Sequence, residues 1–453
     1  MYRWILILII FPFFSVFGQN QNKWTLEQCV RYAFEHNISI KQASLDIENN
    51  EISRQEAFGN FMPNLNARSN HNWIIGLSQN PLTGILENRT TQFSTFGASA
   101  NIDIYKGLQN QHRLNRARLQ QVATLYQVDK IKEDIALNVA NAYLQILFNK
   151  ENLKVAQNQL KNTQAQLNQT KELYNAGQIP KGELVNVEAN ISSDEQRVVQ
   201  AQNAIIISKL TLGQLLQFEK PDQFDIADED YPFELSQLLF KSPVDIINET
   251  KENRIEYKIG KANLEVAKKD IAIAKSAYQP TLSAFYGADT RIGYTDVTRF
   301  DPVAGLVVSP APSFFNQVRD NLGQSFGLVI NIPIFNGFSV KNNVSRTEVA
   351  LKRQQFAFDQ EKLNFERNVY TAHTDANGTL ASYQAAKKTL EARKLAVDYA
   401  KERYNIGAIN SFELTQAQTL LNNAEAEVLR TKYDYLFRIK ILELYFNNPY
   451  LQK

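Results

Sequence analysis

The sequence predicts a mixed membrane protein that is mainly α-helical, in which each chain supplies four strands to a transmembrane β-barrel shared between copies and continuous with long helical hairpins. Three observations carry this expectation. The chain contains itself twice. Each copy holds a proline-free stretch much longer than a globular domain uses, and each holds two segments in which apolar residues recur at every second position.

The duplication is read from matching segments. Phe61, Met62, Pro63, Asn64, Leu65 returns as Tyr278, Gln279, Pro280, Thr281, Leu282, an offset of 217 residues. Ile102, Asp103, Ile104, Tyr105, Lys106, Gly107 returns as Ile332, Pro333, Ile334, Phe335, Asn336, Gly337 at an offset of 230, and the same offset carries Tyr174, Asn175, Ala176, Gly177 onto Tyr404, Asn405, Ile406, Gly407. A change of offset places 13 extra residues in the second copy between Ala284 and Phe326, where Pro302, Pro310 and Pro312 predict an irregular loop.

Taken in chain order, Met1–Gly18 reads as a secretory signal: Arg3, an apolar run from Trp4 to Phe14, and small residues at Val16 and Gly18. The first repeat is expected over 19–217, as a helix, a strand pair at 64–75 and 93–106, and a long helical hairpin. A connector over 218–243 holds prolines and the acidic run Asp228, Glu229, Asp230. The second repeat, 244–446, is expected to repeat the plan with strands at 281–290 and 323–336, and 447–453 is a short tail.

The helices come from period and composition. Gly107 to Asn175 and Gly337 to Asn405 contain no proline, about 69 residues each, which as continuous helices would extend on the order of 100 Å. Val139, Ile146, Leu153, Leu160, Leu167 and Tyr174 recur every seven residues, as do Val369, Ala376, Tyr383, Leu390, Val397 and Tyr404. The return helices keep the period through Leu184, Ile191, Val198, Ile205 and Leu212, and through Leu414, Leu421, Val428, Tyr435 and Leu442. A sustained seven-residue repeat imposes left-handed supercoiling. Gly177 and Gly407 stand where a left-handed residue would stop each long helix and begin a hairpin.

The strands come from a change of period. Phe96, Ala98, Ala100, Ile102 and Ile104 alternate with mostly polar or small residues, as do Phe326, Leu328, Ile330, Ile332 and Ile334; shorter series follow Pro63 and Pro280. Four strands cannot close a barrel, and an open edge in lipid leaves backbone groups unpaired at several kcal/mol each. Several chains must then share one barrel. Two would give eight strands and a bore filled by side chains, whereas three would give twelve and could leave a water channel.

Composition limits the chemistry. With 49 Lys+Arg against 47 Asp+Glu there is no basic excess for nucleic acid, so no nucleic-acid partner is expected. One cysteine, Cys29, excludes an internal disulfide and a zinc site built on paired thiolates; its expected place is a small residue packed on the first helix. The four histidines, His36, His71, His112 and His373, include no i, i+4 pair. No Gly-x-x-x-x-Gly-Lys phosphate loop or Gly-x-Ser-x-Gly elbow occurs, so no enzyme activity, metal or cofactor is expected.

Together these residues resemble the TolC family of outer-membrane efflux channels, over about Trp24 to Phe446. The most specific parts are Ile332 to Gly337, and Tyr404 to Gly407 followed by Ser411, Glu413, Leu414 and Ala417. The resemblance implies a homotrimer with a twelve-stranded barrel in the lipid of a Gram-negative outer membrane and a twelve-helix tunnel through the periplasm. It implies tips, marked here by Tyr174, Gly177, Tyr404 and Gly407, that meet a periplasmic adaptor (membrane fusion) protein and, through it, an inner-membrane pump of the RND or ABC type. Best-known members carry an arginine and two aspartates facing the bore at the tip; the matching positions here are Ile409, Glu413 and Gln416. Glu413 and Gln416, with Glu183 on the neighbouring hairpin, are therefore the expected lining of the periplasmic aperture, and Ile409 would narrow it by an apolar contact. The expected function is passive conduction in efflux or type I secretion. The competing expectation, a structural or adhesive coiled-coil protein of the envelope, leaves the amphipathic strand pairs without a purpose.

Overall fold

The structure, a computed structural model, describes residues 23–79, 85–218, 224–228 and 233–446. The expected signal segment and the tail after Phe446 lie outside the described residues. The chain divides into two compact units, one of Met1–Gln42, Asp129–Glu252 and Phe365–Lys453, the other of Ala43–Val128 and Asn253–Asn364.

The second unit is built on an antiparallel sheet. Its strands are β1 (Asn64–Gln79), β2 (Leu86–Lys106), β3 (Thr281–Gly293) and β6 (Gly323–Asn331), in the order β1-β2-β3-β6. Register sets the two faces apart. Leu65 lies opposite Ala100, Ala100 opposite Tyr286 and Tyr286 opposite Phe326, while Asn64, Asn101, Phe285 and Gly327 are matched on the other side. Leu65 is 77% exposed and Phe326 83%, so the apolar face has no cover at these positions among the described residues. Among the described residues the outer strands β1 and β6 each pair on one side only.

Three expectations are corrected here. The last strand ends at Asn331 and not at 336, because Pro333 has no N–H to donate to the ladder. Strands β1 and β2 run past their expected inner ends, to Gln79 and from Leu86, because each supplies the other with a continuous ladder even where alternation fades. The segment between Ala284 and Phe326 that carries the 13 extra residues is not an irregular loop. It contains a hairpin of β4 (Val297–Asp301) and β5 (Gly305–Ser309), then helix α7 (Phe314–Asp320). Asp301 Oδ1 accepts from the N–H groups of Val303 and Ala304, at 2.8 and 3.0 Å, so Pro302 sits in an ordered turn. Gln317 of α7 donates to the Gly293 carbonyl and accepts from its N–H, both at 2.8 Å, which ties the helix to the end of β3.

Each long helix leaves the sheet through the same backbone device. Gly107 and Leu108 have φ of 61° and 61°, Gly337 and Phe338 have 60° and 64°, two consecutive left-handed residues in each copy. A Cβ at Gly107 would collide with the Ser276 carbonyl, so glycine is required there. Helices α3 (Gln109–Asn175) and α8 (Ser339–Asn405) then run for 67 residues each, and α4 (Lys181–Leu216) and α9 (Ser411–Phe446) for 36 each. Helices α2 (Ile38–Gly59) and α6 (Ile255–Ser276) enter β1 and β3.

In the first unit part of each seven-residue seam is buried: Val139, Ile146, Leu212, Val369, Ala376, Tyr435 and Leu442 are all fully enclosed, while Leu153, Leu160, Ile205 and Val428 are half-buried. Helix α1 (Leu26–His36), opened by a Thr25/Gln28 capping box, packs Leu26, Val30 and the buried thiol of Cys29 into this core. The connector is pinned to both hairpins. Trp24 pairs with Ile226 as a short parallel bridge, and Tyr143 Oη donates to the Trp24 and Ala227 carbonyls at 3.3 and 3.2 Å. Further on, Tyr435 Oη donates to the Glu234 carbonyl at 3.0 Å, and Phe233 stacks on Tyr383. A 3-10 turn at Gln237–Phe240 and helix α5 (Pro243–Thr250), capped by Ser242, complete the unit.

Ionic contacts fasten the first half of the connector. Lys150 lies 3.0 Å from Asp225 and 2.7 Å from Asp228, Lys209 lies 2.9 Å from Asp225, and Lys23 pairs with Asp228. Burial alone would raise Asp225, but Lys209 and Lys150 outweigh it and hold the carboxyl below its ordinary range. Lys150, then Lys23, pull Asp228 down to about 2. Both shifts are depressions, so the stability they supply is complete above the unfolded carboxylate range near pH 4 and is lost as pH falls toward about 2. The thermal midpoint of the detergent-solubilised protein should therefore drop between about pH 4 and 2, and Lys150→Ala should flatten that part of the profile while lowering the midpoint at neutral pH. Allowing for solvent screening of the half-exposed Asp228, its share is about 1 kcal/mol. An unchanged profile in Lys150→Ala would contradict the clamp.

Candidate functional site

The candidate site is the pair of hairpin tips in the first unit. Each long helix closes with the same hydrogen bonds. At the first, the Gly177 N–H donates to the Tyr174 carbonyl and the Gln178 N–H to the Leu173 carbonyl, both at 2.9 Å. At the second, Gly407 donates to Tyr404 at 3.0 Å and Ala408 to Arg403 at 2.8 Å. Gly177 and Gly407 both have φ of 72°, the left-handed residue that lets the last carbonyls be satisfied and the chain turn back. No atom stands within 4 Å of a Cβ built on either glycine, so their requirement is one of backbone conformation and not of space. Tyr174 and Ile406 are exposed on the tips, and so is Phe412 just beyond the second turn.

The return helices begin differently. Helix α4 has Pro180 at its N-cap, which offers no side-chain acceptor. Helix α9 has two. Asn410 Oδ1 accepts from the Glu413 N–H at 3.0 Å, and Glu183 Oε2, from the other hairpin, accepts from the Ser411 N–H at 3.2 Å. A carboxylate at a helix N-terminus also meets the positive end of the helix dipole. One turn deeper, Asn190 donates to Thr415 Oγ1 at 3.2 Å, so the two return helices are stitched by side-chain hydrogen bonds. Val187 and Leu414 are buried beside this seam.

The expected aperture residues are thus placed as follows. Glu413 sits in the first turn of α9 with its side chain exposed and no ion pair among the described residues. Gln416 is exposed one turn on, and Ile409 is half-buried in the turn. Glu183 is brought to the start of α9, where it acts as a cap. Sequence reasoning missed two features. Ser411 is 1% exposed, a small residue admitted to the joint between hairpins. Asp194 is buried within the first hairpin, where its Oδ2 accepts from Thr163 Oγ1 at 2.7 Å and from Gln159 Nε2 at 3.4 Å. Asp194 stands three residues after Ile191 and Thr163 three after Leu160, so each follows a member of the seven-residue series by the same step. Among the described residues no cluster of three or more His, Cys, Asp or Glu is placed to hold a metal, and no helix is long and apolar enough to cross a membrane.

A family model described as outer membrane efflux protein matches residues 30–216 and 246–443, most of the chain. The chain belongs to the outer membrane efflux protein family. This efflux protein is 22% identical over 440 residues to the outer membrane protein TolC of Escherichia coli K12, covering 95% of this chain and 83% of that one. It is 23% identical over 434 residues to the cation efflux system protein CusC of Escherichia coli O157:H7, covering 92% and 84%. The CmeC outer membrane channel of Campylobacter jejuni shares its fold with a TM-score of 0.77, at 15% identity, over 93% of this chain and 85% of that one. The protein is accordingly an outer-membrane efflux component, and its relatives are channel proteins.

Removing the cap across the hairpins should be measurable at the tip. In Glu183→Ala the first-turn amides of α9 should exchange several-fold faster, the effect of about 1 kcal/mol for a lost N-cap. The first turn of α4 should keep its rate. Unchanged exchange at Ser411 would show that Glu183 does not cap α9.

Proposed function

We propose that this efflux protein is the passive exit duct of a tripartite efflux or type I secretion system: a homotrimer whose sheets join as a twelve-stranded barrel in the outer membrane and whose hairpins join as a tunnel through the periplasm. The observation that carries the reading is the four-stranded sheet with an uncovered apolar face and two unpaired outer strands, continuous in the chain with helices of 67 residues. Lipid suits the apolar face, and only other copies of the same sheet satisfy the two edges. The repeats 19–217 and 244–446, flanking a connector over 218–243, are the proposed plan of each copy, after removal of a signal segment at 1–18.

The tips are the proposed docking surface for a periplasmic adaptor, through which an inner-membrane pump of the RND or ABC type supplies the energy. Exposed Tyr174 and Ile406 on tight turns offer the adaptor apolar contacts. Glu413 and Gln416 are the proposed lining of the narrowest point, with Ile409 beside them. Three copies of Glu413 about one axis would make an acidic ring that favours cations. Glu183 is a weaker candidate for the same lining, because its carboxylate is engaged by the Ser411 N–H.

Planar-bilayer recording tests this. Wild type should form cation-selective pores that a trivalent cation blocks from the periplasmic side, and Glu413→Ala should lose much of the selectivity and the block. A wild-type protein that forms no pores contradicts the duct, and an unaltered mutant removes Glu413 from the lumen. A second arm addresses docking. Gly407→Val forces a β-branched residue into the left-handed region and should weaken adaptor retention in pull-downs. Normal retention would exclude the second tip as the docking surface.

A further inference from the structure

Helix α7 lies on one face of the sheet, and the register says which. Thr290 Oγ1 donates to the Gln317 and Val318 carbonyls of α7 at 3.5 and 3.4 Å, and Phe314 meets Phe96 edge to face with ring centroids 6.0 Å apart. Beneath the helix Ile292, Ser94 and Thr290 are buried. Ser94 lies opposite Ile292, and Phe96 opposite Thr290. All four stand an even number of residues along their strands from Ala100 or Tyr286, so α7 covers part of the apolar face that Leu65 and Phe326 leave open. The opposite face carries exposed Arg68, Asp289 and Arg291.

The height of the helix on that face is also fixed. From Leu282 to Ile292, strand β3 covers about 33 Å along its axis, or about 25 Å at a tilt near 40°, which is the height of the outward apolar band of a membrane barrel. Ile292 stands at the end away from the long helices. There the face turns polar: His71 Nδ1 lies 2.6 Å from Ser94 Oγ, Ser94 Oγ lies 3.1 Å from Tyr294 Oη, and Gln92 Nε2 lies 3.0 Å from His71 Nε2. Farther out β1 continues with Trp73, Ile75 and Leu77, but each is paired with a polar residue of β2, Gln92, Thr90 and Asn88. The continuous apolar surface therefore ends at the level of α7.

The outward side of α7 suits that border. Gln317 faces the sheet; Phe315, about 200° round the helix from it, is 82% exposed. Arg319, one turn on from Phe315, is exposed and pairs with Asp320 at 2.8 Å. We propose that α7 is an interfacial helix seated in the outer leaflet, with Phe315 among the upper acyl chains and the Arg319 guanidinium among the headgroups. Its partner is the lipid surface and not a second copy. The helix lies over β2 and β3, the inner strands, so copies that join at β1 and β6 leave it uncovered. The inference rests on the shared-barrel reading, which gives the apolar face to lipid, and adds that the segment between the strands of the second repeat marks the outer border of the band.

Depth-dependent fluorescence quenching of the full chain in phosphatidylcholine vesicles tests this. In a Trp73→Phe background, with the signal of the background protein subtracted, Phe315→Trp reports on α7 and Tyr286→Trp on the middle of the band. Phosphatidylcholine brominated near the headgroup should quench Phe315→Trp about twofold more than phosphatidylcholine brominated near the chain ends, and Tyr286→Trp should show the reverse order. If Tyr286→Trp responds in this way but Phe315→Trp is quenched only by aqueous iodide, or by nothing, then α7 lies in water or under protein. The interfacial seat is then overturned while the barrel stands. Stronger quenching of Phe315→Trp from the chain ends would overturn it as well, by placing α7 inside the band. A Tyr286→Trp protein that responds to neither lipid overturns the lipid-facing barrel itself.

Discussion

The unpaired outer edges of one four-stranded sheet constrain everything else in this molecule. β1 and β6 each present a row of backbone donors and acceptors, next to a face on which Leu65 and Phe326 have no cover. In water such an edge invites uncontrolled pairing, and in lipid it is intolerable, because nothing in hydrocarbon can accept its hydrogen bonds. Closure by identical neighbours satisfies both demands at once.

The duplication gives one chain two copies of the same plan. Both copies leave the sheet through two left-handed residues and both end their long helix on a left-handed glycine at φ 72°. The copies differ where asymmetry has a use. Among the described residues only the second carries a hairpin and helix between its strands, and α9 receives a cap from Glu183 where Pro180 at the N-cap of α4 makes no side-chain cap.

Much of the fold was legible because its determinants are local or periodic. Absence of proline and a seven-residue period mark α3 and α8, and alternation marks the sheet at Leu65, Ala100 and Phe326. Tip glycines are legible because few residues take a left-handed φ without strain. What could not be read depends on partners distant in the chain. The Glu183 cap needs Ser411, 228 residues away, and the Lys150 clamp needs Asp225 and Asp228. The α7 insertion was misread because prolines mark breaks between elements as readily as they mark loops. Pro333 was passed over in the opposite sense, since apolar alternation at Ile332 and Ile334 continues where the ladder cannot.

Closure by identical neighbours is tested most directly by native mass spectrometry of the protein extracted from outer membranes in mild detergent. The account predicts one dominant species with the mass of three chains, which collapses to single chains when detergent and heat remove the sheet. A dominant single chain that retains the sheet in lipid would contradict it, because β1 and β6 would then be stable with their edges unpaired.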